Sequence, residues 1–203
     1  MSLFFFLSFS AIAQNQQAVQ PTVGRKAAEK YFQEDRKIVE EEHSSSVENV
    51  LMLHLGRFIN SQAYDWGSTS PLNDTGQALY GITYLFDQWH GMDLNIRIDF
   101  HEFNVSNNRA VKIALLPLWT FPKVETRFPL YFGIGGGLGI FMQQLTNKSN
   151  LSFDYQFLMG ARFLDITPGF GAFVEFGLKN HLHLLSNGQF NGTNFAGGVV
   201  FNF

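Results

Sequence analysis

The chain holds 203 residues, of which 45% are apolar, 16% aromatic and only 15% charged. A net charge of −3 offers no electrostatic basis for nucleic-acid binding, and the absence of cysteine excludes a disulfide framework or a thiolate metal centre. Phe contributes 23 residues and Gly 19, a mixture that suits strands with one oily face better than a compact core under a charged shell.

Leu3 to Ala13 reads Leu-Phe-Phe-Phe-Leu-Ser-Phe-Ser-Ala-Ile-Ala before Gln14. An apolar core followed by an Ala-x-Ala site predicts a signal peptide over residues 1–13, and therefore export. No later stretch approaches the ~18 consecutive apolar residues of a membrane-spanning helix. Residues 14–46 are expected to be a periplasmic N-terminal segment. It is polar at first, then helical over 26–42, where Ala28, Tyr31, Phe32, Ile38 and Val39 share a stripe.

From Val47 the period falls from 3.6 to 2, and eight strand segments follow to residue 203. In the first, 47–59, Leu51, Leu53 and Leu55 oppose Met52, His54 and Gly56. Segment 77–87 turns Ala78, Tyr80, Ile82, Tyr84 and Phe86 outward. In the third, Leu94, Ile96, Ile98 and Phe100 alternate with Asn95, Arg97, Asp99 and His101. An oily face opposite a fully polar one is rare in soluble sheets and ordinary for a barrel in lipid.

Segment 110–119 sets Val111, Ile113, Leu115 and Pro117 outward and Lys112 inward; a bulge or strand end is expected at Pro117, which lacks a ladder donor. Segment 130–141 has Leu130, Phe132, Ile134, Leu138 and Ile140 outward over inward Gly133, Gly135, Gly137 and Gly139. Segment 151–163 sets Phe153, Tyr155, Phe157 and Met159 against Ser152, Asp154, Gln156 and Arg162. Segment 170–178 sets Ala172, Val174 and Phe176 against Phe173 and Glu175. The last, 195–203, keeps Phe195, Gly197, Val199, Phe201 and Phe203 on one face.

Links at 88–92, 120–129 and 164–169 are turn-like. Those at 60–76, 104–109, 143–150 and 179–193 are more polar, which predicts short periplasmic turns and longer external loops. Trp89 and Trp119 fall beside the short turns, where an aromatic girdle belongs. The expected fold is all-β: a transmembrane, up-and-down, antiparallel eight-stranded β-barrel over 47–203 with a short N-terminal periplasmic helix.

The strand ending in Phe203 resembles the last strand of small eight-stranded bacterial outer-membrane barrels. That resemblance implies a location in the bacterial outer membrane. It implies as partners outer-membrane lipids, lipopolysaccharide and the barrel assembly machinery, with no nucleic acid. Eight strands enclose a lumen only wide enough for side chains. Inward Arg97, Lys112 and Arg162 against Asp99, Asp154 and Glu175 predict a salt-bridged plug; no cofactor or metal is expected.

The stretch His181-Leu182-His183-Leu184-Leu185-Ser186-Asn187-Gly188, with Asn191-Gly192-Thr193-Asn194, is similar to the C-terminal signature of the lipid A deacylase (acyloxyacyl hydrolase) family, and Gly160-Ala161-Arg162-Phe163 resembles the strand ahead of it. These enzymes are eight-stranded outer-membrane barrels that remove an acyl chain from lipopolysaccharide. The resemblance implies Ser186 as nucleophile, His183 as general base and Asn194 as the residue that orients it. His183 precedes Ser186 by three residues where the family has two, which in a regular strand turns them to opposite faces. The N-terminal stripe also resembles the amphipathic helix of the lipid A palmitoyltransferase barrel. The expected function is a non-enzymatic barrel serving envelope integrity, surface interaction or small-solute passage; the alternative is a Ser/His lipid A deacylase.

Overall fold

The computed structural model describes residues 49–105, 108–143 and 148–203. The expected signal peptide (1–13) and the N-terminal segment with its helix (14–46) lie outside the described residues. Eight long strands appear in chain order: β1 (Val50–Tyr64), β3 (Gly76–Trp89), β4 (Met92–Val105), β5 (Asn108–Phe121), β6 (Leu130–Phe141), β7 (Leu151–Thr167), β8 (Phe170–His183) and β9 (Gln189–Asn202). A two-residue strand, β2 (Leu72–Asn73), lies inside the first long link and pairs with the upper part of β1. Every neighbour pair is antiparallel, and β9 pairs with β1 from Asn202 opposite Val50 to Gln189 opposite Tyr64. The sheet closes on itself and leaves no long edge.

The alternation read from the sequence sets the two faces. Leu55, Ile82, Phe86, Leu115, Ile134, Leu138, Phe157, Phe176 and Phe195 are exposed on the outer wall, whereas His54, Arg97, Asp99, Lys112, Asp154, Gln156 and Glu175 are buried in the lumen. An oily exterior around a polar interior inverts the soluble-protein pattern and matches a wall in contact with acyl chains. The first strand starts and the last strand ends at the same end of the barrel, where Asn49 N–H donates to Phe203 O at 3.1 Å and Phe203 N–H returns to Asn49 O at 3.0 Å. Exposed Trp89 and Trp119 gather at this terminal end with Phe121, Phe128, Phe163 and Phe203.

Several strand bounds differ from the sequence reading. β8 continues five residues past 178 to His183 and β9 begins at Gln189, so the link expected over 179–193 shrinks to residues 184–188. β1 extends to Tyr64 through a register shift between Phe58 and Asn60. The chain does not end or bulge at Pro117. β5 runs through it, the β5–β6 pairing lapses only at Leu116 and Pro117, and register is the same on either side of the gap. Pro117 opposes Ile96 on β4, and the facing stretch of β6 is all glycine from 135 to 137. A Cβ on Gly137 would strike the Leu115 carbonyl, so β6 crosses the weakened ladder closer than any side chain permits.

Candidate functional site

The lumen is layered. At the terminal end Val50, Met52, Leu85, Leu118, Phe173 and Val200 form one apolar cluster. At the far end Phe58, Leu79, Phe103, Phe141 and Phe190 form another, with Phe103 and Phe190 stacked at 4.7 Å between centroids. Between them, and at the terminal mouth, lie charges that the period-2 pattern drives inward. Among the described residues four buried cations, Arg97, Lys112, Arg162 and Lys179, face four buried anions, Asp93, Asp99, Asp154 and Glu175. The balance matters because an uncompensated charge in this interior would be costly.

Asp99 is the hub. Arg97 donates from Nε to Asp99 Oδ1 at 2.9 Å and from Nη1 to Glu175 Oε2 at 2.9 Å. The second Asp99 oxygen accepts from Lys179. His54 Nε2 lies 3.0 Å from Asp99 Oδ1 and 3.1 Å from Arg97 Nη2. Tyr131 donates its hydroxyl to Glu175 Oε1 at 2.7 Å and lies under Arg162, whose guanidinium is 5.0 Å from the ring centroid. Asp93 accepts the Val124 N–H at 2.7 Å and stands 3.6 Å from Arg162, pinning the β5–β6 turn across the terminal mouth.

A second cluster lies farther along the lumen. Lys112 pairs with Asp154, which also accepts from Ser152 Oγ at 2.8 Å, and Lys112 Nζ is 2.7 Å from His181 Nδ1. Gly139 makes room for this cluster. A Cβ there would collide with the Lys112 stem and come within 2.7 Å of Asp154 Oδ2. Gly81 does the same for the first cluster, leaving 2.7 Å to Asp99 Oδ1.

The sequence reading found six of these charged residues and the inward His54 and His101. It missed Asp93, Tyr131, Lys179 and His181. Asp93 and Tyr131 each begin an alternating stretch beside a turn. Lys179 and His181 alternate with Asn180 and Leu182, where the oily contrast has faded.

The three residues carried over from the deacylase resemblance are spread out. His183 is buried at the far mouth, stacked on Phe141 at 5.3 Å and edge-on to Phe190 at 5.4 Å. Ser186 sits in the β8–β9 turn, where its Oγ accepts the Ser149 N–H at 2.7 Å. Asn194 is buried in the lumen wall opposite Gly177, six residues down β8 from His183, about 20 Å at ~3.3 Å per residue. His183 and Ser186 thus share one hairpin, and Asn194 does not join them. The same hairpin is tied to its neighbours. Trp66 N–H donates to Asn187 Oδ1 at 3.0 Å, and Lys148 pairs with Asp65 and donates to Asn187 O at 2.8 Å.

No protein-family model and no curated protein matches the sequence. Solved structures similar to this chain include Neisserial surface protein A (NspA), 12% identical over 76% of this chain and 97% of that one, with a TM-score of 0.48. The N-terminal β-barrel domain of Pseudomonas aeruginosa OprF is 15% identical over 76% and 97%, at 0.42. The outer membrane enzyme PagL is 13% identical over 73% and 97%, at 0.40. The architecture rests on this chain's own strand register. A closed barrel pairs every long strand on both sides within the wall, and its exterior carries apolar side chains where a soluble protein carries charge. The chain is a closed, eight-stranded antiparallel β-barrel with an apolar outer wall. Its lumen is occupied by its own side chains from one mouth to the other.

Proposed function

We propose that this barrel is a non-enzymatic, non-conducting component of the envelope, serving membrane integrity and surface contact. The observation that carries the reading is the filled lumen, where a balanced set of buried ion pairs is interleaved with two apolar layers. An ion entering this path must displace charges that already satisfy one another, and a small solute must part Phe103 from Phe190. The far-end links, knotted through Asn187, Trp66 and Lys148, offer a shaped surface on the side away from the termini. The test is conductance across planar bilayers. Protein whose folding is verified by a gel shift between boiled and unboiled samples is expected to add no steps above bare lipid. Steady, reproducible channels would overturn the proposal and favour small-solute passage.

Lipid A deacylation is the second reading, favoured by the placement of His183 and Ser186 on one external hairpin. It asks Ser186 to give up the Ser149 contact and His183 to turn out of its aromatic seat before the two could share a proton. Expression in a host lacking such an enzyme decides the matter by lipid A mass. Unchanged mass is expected; loss of one hydroxyacyl chain that is abolished by Ser186→Ala would establish the enzyme.

A further inference from the structure

On β8 and β9 the outer wall turns from oily to polar one outward rung apart, at Asn180 and at Thr193, before Leu182 returns beyond Asn180. On β8 the lipid-facing positions are apolar from Phe170 to Leu178, and on β9 from Phe203 back to Phe195. Each run matches the ~9–11 residues a tilted strand needs to cross the hydrocarbon. The next outward residues are Asn180 on β8 and Thr193 and Asn191 on β9, and beside them β1 presents Asn60 and Gln62. With Leu178 these five side chains line a groove of about 240 Å³ on the exterior of the wall. The register shift between Phe58 and Asn60 shapes it, because the extra residue lets Ile59 and Asn60 both face outward. The volume is below the ~300–1,000 Å³ typical of clefts for drug-sized ligands and suits a single ring.

Two further features define the chemistry. The carboxamides of Asn60 and Asn180 have no hydrogen-bond partner among the described residues, so both can serve a ligand, whereas Gln62 donates to Asn73, Asn191 is held between Gln189 and Tyr64, and Thr193 donates to the Asn60 carbonyl. Arg57 lies exposed on the same outer face of β1, opposite Phe195 and two register steps from the Thr193 rung, and has no acidic partner among the described residues. A cation on the lipid face is costly at mid-bilayer and tolerated near the interface, where it can meet an anion. Below the groove, Leu178, Phe176 and Phe195 continue the oily wall.

We propose that this notch holds the phosphorylated sugar headgroup of an outer-leaflet glycolipid. The unpartnered carboxamides of Asn60 and Asn180 bond the sugar hydroxyls, Arg57 meets the phosphate, and an acyl chain lies along Leu178, Phe176 and Phe195. The assignment rests on the membrane-barrel reading and on the end away from the termini facing outward. A phospholipid shares the phosphate and the acyl chains but not the ring of hydroxyls, and for it the two unpartnered carboxamides would be superfluous.

The test uses the full-length protein in detergent and native mass spectrometry with three probes: rough lipopolysaccharide, phosphatidylglycerol and free glucosamine 1-phosphate. Lipopolysaccharide is expected to bind about tenfold more tightly than phosphatidylglycerol, and the soluble sugar phosphate not detectably. Asn60→Leu with Asn180→Leu breaks no side-chain hydrogen bond among the described residues and extends the oily belt, so the gel shift of the folded barrel is retained while lipopolysaccharide binding drops about tenfold. Arg57→Ala is expected to act in the same direction. Equal binding of both lipids, retention by the double variant at wild-type strength, or capture of the free sugar phosphate would each overturn the assignment. A wild type that migrates alike boiled and unboiled overturns the barrel itself, a failure separable from the others.

Discussion

Asp99 holds three partners at once, and that concentration makes it the most consequential single side chain of the lumen. Asp99→Ala would leave Arg97 with Glu175 alone and Lys179 with no acidic partner, an imbalance worth roughly 3–5 kcal/mol when one member of a buried pair is removed. Unfolding by urea in detergent should show the loss as a lower midpoint; an unchanged midpoint would mean that the network is incidental to stability. Tyr131→Phe, which removes one hydrogen bond to the Glu175 carboxylate, should cost about 1.5–3 kcal/mol in the same assay. The glycines of β6 give a sharper comparison. Gly139→Ala drives a methyl into the Lys112–Asp154 pair, an overpacking cost of about 1–3 kcal/mol. Gly136→Ala, whose Cβ faces outward with its nearest neighbour 3.6 Å away, should be neutral or slightly stabilising. Equal effects would mean that the lumen tolerates repacking at Gly139.

At the scale of the strand, legibility followed contrast. β4 was readable because Ile96 and Ile98 alternate with Arg97 and Asp99, so each step changes chemistry as well as face. The upper part of β8 was not. Past Leu178 both faces carry polar groups, Asn180 outside with Lys179 and His181 inside, and a period of two leaves no trace when oily and polar no longer alternate. The stretch therefore read as a wet loop, and the exterior notch was hidden by the very polarity that defines it. The bulge of β1 was invisible for a different reason, since it arises from pairing with β9 and from no turn residue of its own. Pro117 misled in the opposite direction. Its missing donor was legible, but the glycine run across from it, which lets two rungs lapse without a change of register, belongs to another strand. The candidate residues His183, Ser186 and Asn194 were found by likeness to a motif, and only three-dimensional register reveals that Asn194 lies far down the wall. The exterior reading of β4 carries its own prediction. Ile98→Arg, at a lipid-facing position, should destabilise the folded barrel in bilayers by about 2–4 kcal/mol if it lies near the bilayer midplane, measured by reversible unfolding from vesicles. A negligible change would mean that the face does not meet hydrocarbon.

At the scale of the whole molecule, stability and location come from one device: a closed antiparallel wall that spends its oily residues outward and balances its charges within. A soluble domain of this size would face its charges outward; here the oily side chains face outward, and the interior combines two apolar layers with, among the described residues, four cations balanced by four anions. The absence of cysteine lets the device be read position by position, since a single introduced thiol can carry a spin label without competition. Labels placed in turn at 173 to 178 along β8 would be tested, in vesicles, for collision with oxygen, which concentrates in hydrocarbon, and with a water-soluble nickel chelate. Oxygen accessibility should peak at 174, 176 and 178 and fall at 173, 175 and 177, with the chelate excluded from the peaks. A flat profile, a repeat of 3.6, or chelate access at 174 and 176 would contradict the lipid-facing barrel and every functional assignment built on it.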